Sequence, residues 1–178
     1  NKIKTVRELI ENGGANLNVL NHGGASILSN AVKSVDSNAD VVRYLLSFKK
    51  LRKYGVNHRR KAQTAKWKII YTLARSVDGI VQSSILSELA SESGSTTLYY
   101  AVRRGDMEIV ELLMEHGAEP SIKNDLGRDV LSYCEAFPEI NGAIKRLKRE
   151  MKYMQQNSKK KKSSKSSSKS VLSSRVKS

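Results

Sequence analysis

The sequence predicts an all-α solenoid built from helix–turn–helix–hairpin units. Two observations carry that prediction. First, Gly94 opens "GSTTLYYAVRRGDMEIVELLMEHGAEPSIKNDL" and Gly127 opens "GRDVLSYCEA", a spacing of 33 residues, and self-similarity at that period marks a repeat architecture. Second, three glycine-opened units share one ordered set of side chains. A capping residue stands two positions after the Gly (Ser26, Thr96, Asp129). A Leu follows two further on (Leu28, Leu98, Leu131), and a small residue three beyond that (Ala31, Ala101, Cys134). Ser, Thr and Asp accept hydrogen bonds from the free N–H groups of a starting helix. Residues three apart share a helical face, where a small side chain lets a neighbour approach.

The elements follow in chain order. "VRELIENGGANLNVLNHGG" reads as the second helix of a unit (Val6, Leu9, Ile10), a closing Gly14-Ala15 and a hairpin ending at Gly24. Its first helix is expected ahead of residue 1, in accord with a start at Asn rather than Met. "GASILSNAVKSVDSNADVVRYLLSF" supplies a complete helix pair. A basic insert over about 49–61 follows, with Gly55-Val56-Asn57 in the closing position. "AKWKIIYTLARS" then predicts a helix with Trp67, Ile70 and Leu73 on its core face, and "GIVQSSILSELASES" a second one. Together they read as a degenerate third repeat over about 62–93, with a shortened finger before Gly94.

In the next unit, Gly105 suits the left-handed end of a first helix. Ile109, Val110, Leu112 and Leu113 give the second helix its apolar face, and "HGAEP" closes it. The stretch onward to Gly127 is short and polar, as a projecting hairpin requires. Last, "FPEINGAIKRLKREMKYMQQ" carries Ile140, Ile144, Leu147, Met151 and Met154 on one face and Lys145, Arg146, Lys148, Arg149 and Lys152 on the other. That is a long capping helix with a polar outer side. Residues 158–178 are Lys/Ser low complexity, expected to be disordered, so the organised region is expected over 1–157.

The match "GSTTLYYA…GDMEIVELLMEHGA" resembles the ankyrin repeat, with Thr97 where the family usually has Pro and Tyr99 where it usually has His. The resemblance implies an ankyrin solenoid of about four units, the first truncated and the third degenerate. It implies a non-catalytic module that binds another protein through hairpin tips and first helices. On this chain that face comprises Tyr99, Tyr100, Arg103 and Arg104, with Lys123, Asn124 and Asp125 on the following finger; Tyr and Arg are favoured interface anchors.

The charge pattern suggests a different class of partner. The net charge is +15, from 32 basic and 17 acidic residues. The stretch Lys49–Lys68 holds nine basic and no acidic residues, and the chain from Lys145 holds thirteen against one. The remainder is mildly acidic. As the alternative function, Lys49, Lys50, Arg52, Lys53, Arg59, Arg60 and Lys61, with Lys159, Lys160, Lys161 and Lys162 of the tail, would contact RNA or DNA phosphates in a nucleic-acid or ribonucleoprotein-associated factor. The tail lysines also fit a nuclear localisation pattern. The expected location is therefore cytoplasmic, nuclear or both.

No catalytic, cofactor or metal site is expected. His22, His58 and His116 are scattered, Asp129 is committed as a cap, and no spacing matches a zinc site. The single Cys134 cannot form an internal disulfide and reads as core, so a reducing compartment is the default. No apolar run is long enough to span a membrane and no signal-peptide pattern opens the sequence.

Overall fold

The computed structural model describes residues 2–34, 38–134, 138–149 and 152–153. The chain divides into two compact units, Asn1–Ile144 and Lys145–Ser178. Among the described residues there is no β-strand, only an isolated bridge between Leu20 and Ser26.

Helices α1 (Lys2–Glu11), α2 (Ile27–Lys33), α3 (Ala39–Ser47), α4 (Ala65–Ser76), α5 (Ser84–Glu92), α6 (Thr97–Arg104) and α7 (Met107–Glu115) follow in order. A π-helical turn (Leu51–Gly55) and a 3-10 turn (Val130–Tyr133) interrupt them. Residues 138–149 are helical again. Two of the three predicted caps form: Ser26 accepts from the Ser29 N–H and Asp129 from Ser132. Asp106, not singled out in the sequence, also caps α7 by accepting from the Ile109 N–H. Thr96 makes no such bond. Gly105 ends α6 at φ 70°, in the left-handed region that spares a side chain its strain. The unit opened by Gly127 begins with the 3-10 turn rather than an α-helix, with Val130 and Cys134 as its buried residues.

The helices stack in two rows. Along the first row α2 packs on α6, and α6 on the 3-10 turn. Along the second, α1 packs on α3 and α3 on α7. The core lies between the rows: Leu28, Val32, Val42, Leu45, Leu46, Leu98, Ala101, Val102, Ile109, Leu113 and Met114 are buried.

This arrangement corrects the expected third repeat. The pair α2–α3 packs directly on α6–α7, while α4 and α5 pack chiefly on each other. Residues 62–93 are therefore not a layer of the stack. They form a helical hairpin that extends the finger between α3 and α6. The finger also ties the flanking units together: the Asn57 side-chain amide donates to the Gly117 carbonyl (2.9 Å), and its oxygen accepts from the Glu119 N–H (2.8 Å).

Ile140, Ala143 and Ile144 are buried at the end of the first unit. In the second unit, Lys145, Arg146, Lys148 and Arg149 are exposed and Leu147 is half-buried. Met151, Met154 and the tail, with Lys159, Lys160, Lys161 and Lys162, lie outside the described residues.

Candidate protein-docking surface

The hairpin leaves and rejoins the stack at one place. The Arg60 N–H donates to the Ser95 carbonyl and the Gly94 N–H to the Arg60 carbonyl, both at 2.9 Å. Two glycines permit the close approach of backbones there. A Cβ on Gly24 (φ 85°) would lie 1.9 Å from the Lys61 carbonyl oxygen, and one on Gly94 (φ 75°) 2.4 Å from Asp125 Oδ1. Any side chain at either position would force the fingers apart.

A buried polar cluster fixes the base of the hairpin. Glu92 is 1% exposed and Arg60 6%. Arg60 Nη1 donates to Glu92 Oε2 (2.5 Å) and to the Tyr100 hydroxyl (2.7 Å), and its Nε to the Gly23 carbonyl (3.1 Å). The second Glu92 oxygen takes Lys33 from α2. Tyr71 of α4 donates to the Gly23 carbonyl at 3.2 Å, with the Arg60 guanidinium over its ring. The buried Arg60 thus faces a carboxylate, as burial of ions demands, while the Lys33 side chain is 43% exposed. Burial alone would lower the pKa of Arg60, but Tyr100 and Glu92 outweigh it and the net direction is upward. Burial pushes the Tyr71 hydroxyl up to about 12.

A second clamp holds the flank. Asp125, at the tip of the following finger, accepts from Arg59 Nη2 (2.8 Å) and from the Ser93 hydroxyl (2.6 Å). Its N–H donates to the Ser93 carbonyl (2.9 Å), and Arg75 of α4 donates to the same hydroxyl oxygen (2.6 Å). Arg128 pairs with Asp78 in the α4–α5 turn at 3.0 Å.

These contacts reassign most of the residues expected to bind a partner. Tyr99 and Tyr100 are each 4% exposed rather than displayed. Tyr99 packs edge-on against Tyr133 (4.9 Å), and Tyr100 holds Arg60. The reason is geometric: α6 has neighbours on both sides, so its whole span from Thr97 to Val102 is buried. Asn124 is also buried, donating to the Ser91 carbonyl and accepting from the Leu126 and Arg128 N–H groups. Asp125 is the clamp just described. Arg103 and Lys123 are exposed, while exposed Arg104 donates to the Ser34 carbonyl that ends α2 (2.6 Å).

The expected phosphate cluster is dispersed in the same way. Arg60 is consumed by Glu92 and Arg59 by Asp125. Lys49, Lys50, Arg52 and Lys61 remain exposed, and the side chain of Lys53 lies outside the described residues.

Sequence reasoning missed the outer face of the hairpin. Inward, α4 presents Trp67, Tyr71 and Ala74, the last two buried. Leu73, expected in the core, is 60% exposed, beside Ile69 at 60%. The turn and α5 add Ile80 (78%), Val81 (48%) and Ile85 (70%). The signal was present in "AKWKIIYTLARS", whose apolar residues go round the helix instead of forming one stripe. Lys61, Lys66 and Lys68 stand exposed near the start of α4. Among the described residues no cluster of His, Cys, Asp and Glu could hold a metal ion, and no helix is long and apolar enough to cross a membrane.

Stacked helix pairs joined by projecting fingers define a helical-repeat scaffold. The ankyrin repeat family model matches residues 93–125, the segment containing α6, α7 and the finger to Asp125. An ankyrin repeat protein of Acanthamoeba polyphaga mimivirus is 35% identical over 60 residues, covering 34% of this chain and 14% of that protein. The BRCA1-associated RING domain protein 1 of Caenorhabditis elegans is 32% identical over 72 residues, or 40% of this chain and 10% of its own length. The mitochondrial disaggregase of Bos taurus is 29% identical over 162 residues, 89% of this chain and 23% of its own length. The chain thus spans less than a quarter of each of these relatives. Residues 93–125 thus match an ankyrin repeat, a repeat that serves as a protein–protein interaction module.

Proposed function

We propose that this chain is a non-catalytic protein-interaction adaptor, and that its partner docks on the outer face of the α4–α5 hairpin. The observation that carries this reading is the exposure of Ile69, Leu73, Ile80, Val81 and Ile85 on one short hairpin. Large exposed aliphatic side chains gathered on one element mark interaction surfaces. The base supports the same reading: the Arg60–Glu92–Lys33 cluster and the Asp125 clamp hold the hairpin in a fixed position, so little ordering entropy opposes docking. Lys61, Lys66 and Lys68 near the start of α4 favour a partner segment with aliphatic residues followed or preceded by Asp or Glu.

The test is display of a random peptide library against two variants of the full chain. One carries Ile69→Ser, Leu73→Ser and Ile85→Ser. The other carries Arg103→Ser and Lys123→Ser. Peptides selected on the unaltered chain should be aliphatic and acidic, lose binding to the first variant and keep it to the second. Retention by the first variant and loss by the second would move the docking face to α6 and its finger.

A further inference from the structure

The aliphatic face of α4 borders a cationic recess. Between the base of the hairpin, α4 and the tip of the following finger lies a pocket of about 390 Å³. Three cations, Lys61, Lys68 and Arg75, and one carboxylate, Asp125, line it. We infer that this pocket seats a phosphate monoester borne on a side chain of the docked partner, so that the anionic position of the partner segment is a phosphorylated residue. The inference rests on the docking face proposed above for the partner, and on the pocket alone for the phosphate.

Charge is the first argument. The one carboxylate is already engaged: Asp125 Oδ1 accepts from Arg59 at 2.8 Å and Oδ2 from the Ser93 hydroxyl at 2.6 Å. Arg75 stands farther off, with Nη1 3.5 Å from Oδ2. Lys61 and Lys68 are exposed, and their side chains make no ion pair with any described residue. Three positive charges against one negative leave the lining with a positive excess of two. A phosphate monoester carries about −1.5 to −2 at neutral pH on three strong acceptor oxygens, which matches that excess. A single carboxylate leaves part of it unbalanced.

Preorganisation is the second. The Arg75 side chain is 29% exposed; its Nη1 donates to the Ser93 hydroxyl at 2.6 Å and its Nη2 to Thr72 Oγ1 at 3.3 Å. Those two bonds fix the guanidinium and leave further N–H groups for a ligand. Lys61 directly follows the buried Arg60, and Lys68 stands one turn from Thr72 on α4, so all three cations rise from anchored backbone and less freedom is lost on binding. The neighbours then select the kind of partner. Ile69 and Leu73, each 60% exposed, directly follow Lys68 and Thr72, so the aliphatic stripe runs beside the recess along one helix. Lys49, Lys50 and Arg52 take no part in the lining, so the pocket does not continue into the basic groove that tracks a nucleic-acid backbone.

The experiment follows backbone amide shifts of the full chain with N-acetyl-phosphoserine amide, its glutamate counterpart, inorganic phosphate and oligothymidylate as probes. The phosphoserine probe should shift Lys61, Lys68, Thr72 and Arg75 and bind about tenfold more tightly than the glutamate probe. Lys61→Gln with Lys68→Gln should weaken it by about tenfold. Lys49→Gln with Lys50→Gln, the same loss of charge outside the pocket, should not. Equal weakening by the two pairs, or equal binding of the phosphoserine and glutamate probes, would overturn the inference. So would oligothymidylate binding the same amides more tightly, which would make the ligand a nucleic acid, or inorganic phosphate matching phosphoserine, which would make it the free ion. A peptide library with one fixed phosphoserine and random flanks separates the two readings. Ile69→Ser with Leu73→Ser should weaken the selected peptides and leave the small phosphoserine probe unchanged. Peptides insensitive to that variant would remove the docking face while the phosphate pocket stands; aliphatic peptides that bind as well without their phosphate would keep the face and overturn the pocket.

Discussion

Two helix pairs of similar length lie side by side in the sequence and differ in what surrounds them. The pair α6–α7 buries Thr97 through Val102 on its first helix and Ile109, Val110, Leu112, Leu113 and Met114 on its second. The pair α4–α5 buries Tyr71 and Ala74, then Ala90, Ser91 and Glu92 where it rejoins the stack. Both pairs are rich in large apolar residues, so apolar content does not separate them. Position does: α6 has a neighbour on each side and α7 packs on α6 and α3, whereas α4 and α5 have mainly each other. Hydrophobic stabilisation scales with area removed from water. The stack is thus held by apolar burial, and the hairpin's placement by a few charged and polar groups at its base.

The sharpest way to break that contrast is at Glu92. It pairs with both Arg60 and Lys33 and is itself almost fully buried. Glu92→Ala should cost about 3–5 kcal/mol, because it leaves a buried guanidinium without its carboxylate. The neighbouring Arg59→Ala removes an ion pair whose side chains are 40% and 37% exposed, and should cost less than about 1 kcal/mol. Urea denaturation of both variants measures the difference. Similar midpoints would mean that the cluster at the hairpin base is not the anchor described here.

A second pair of variants compares the two apolar populations directly. Leu113 is fully buried between the rows, and Leu73 is 60% exposed on α4. Leu113→Ala should lower stability by about 2–5 kcal/mol through lost contacts and the cavity left behind. Leu73→Ala should fall within about 0.5 kcal/mol of the native chain. A large loss from Leu73→Ala would show that the hairpin's outer face is covered by something that removes it from water.

The stack and the hairpin were not equally legible in the sequence. The repeat at Gly94 could be read because its spacing encodes contacts within one unit: Leu98 with Ala101, Gly105 after Arg104, Asp106 before Met107. Caps and left-handed glycines are local, so Ser26, Asp129 and Gly105 behave as their neighbours dictate. Residues 62–93 could be read as two helices but not placed, because insertion in a finger and insertion in the stack leave the same local pattern. The decisive contacts join Arg60 to Glu92 and Asp125 to Ser93, pairs that no periodicity marks. The same limit explains Tyr99 and Tyr100. As sequence they are favoured interface residues; burial on both sides of α6 makes them core, and that depends on α2 and the 3-10 turn packing against it.

The smallest expected effect divides those adjacent tyrosines by sign. Tyr100 accepts a charged hydrogen bond from Arg60 at 2.7 Å. The Tyr99 hydroxyl is buried with no hydrogen-bond partner among the described residues, and burial raises its pKa. A buried polar group without a partner carries a desolvation cost, while one bonded to a charge contributes favourably. Tyr100→Phe should therefore destabilise the chain by about 1–3 kcal/mol. Tyr99→Phe should be neutral or stabilising by up to about 1 kcal/mol, since it keeps the ring against Tyr133 and removes only the unmatched oxygen. Both values come from thermal or urea unfolding under one set of conditions. A destabilising Tyr99→Phe would mean that its hydroxyl is bonded in solution, and that the space between α6 and the 3-10 turn is more polar than the packing around Tyr133 implies.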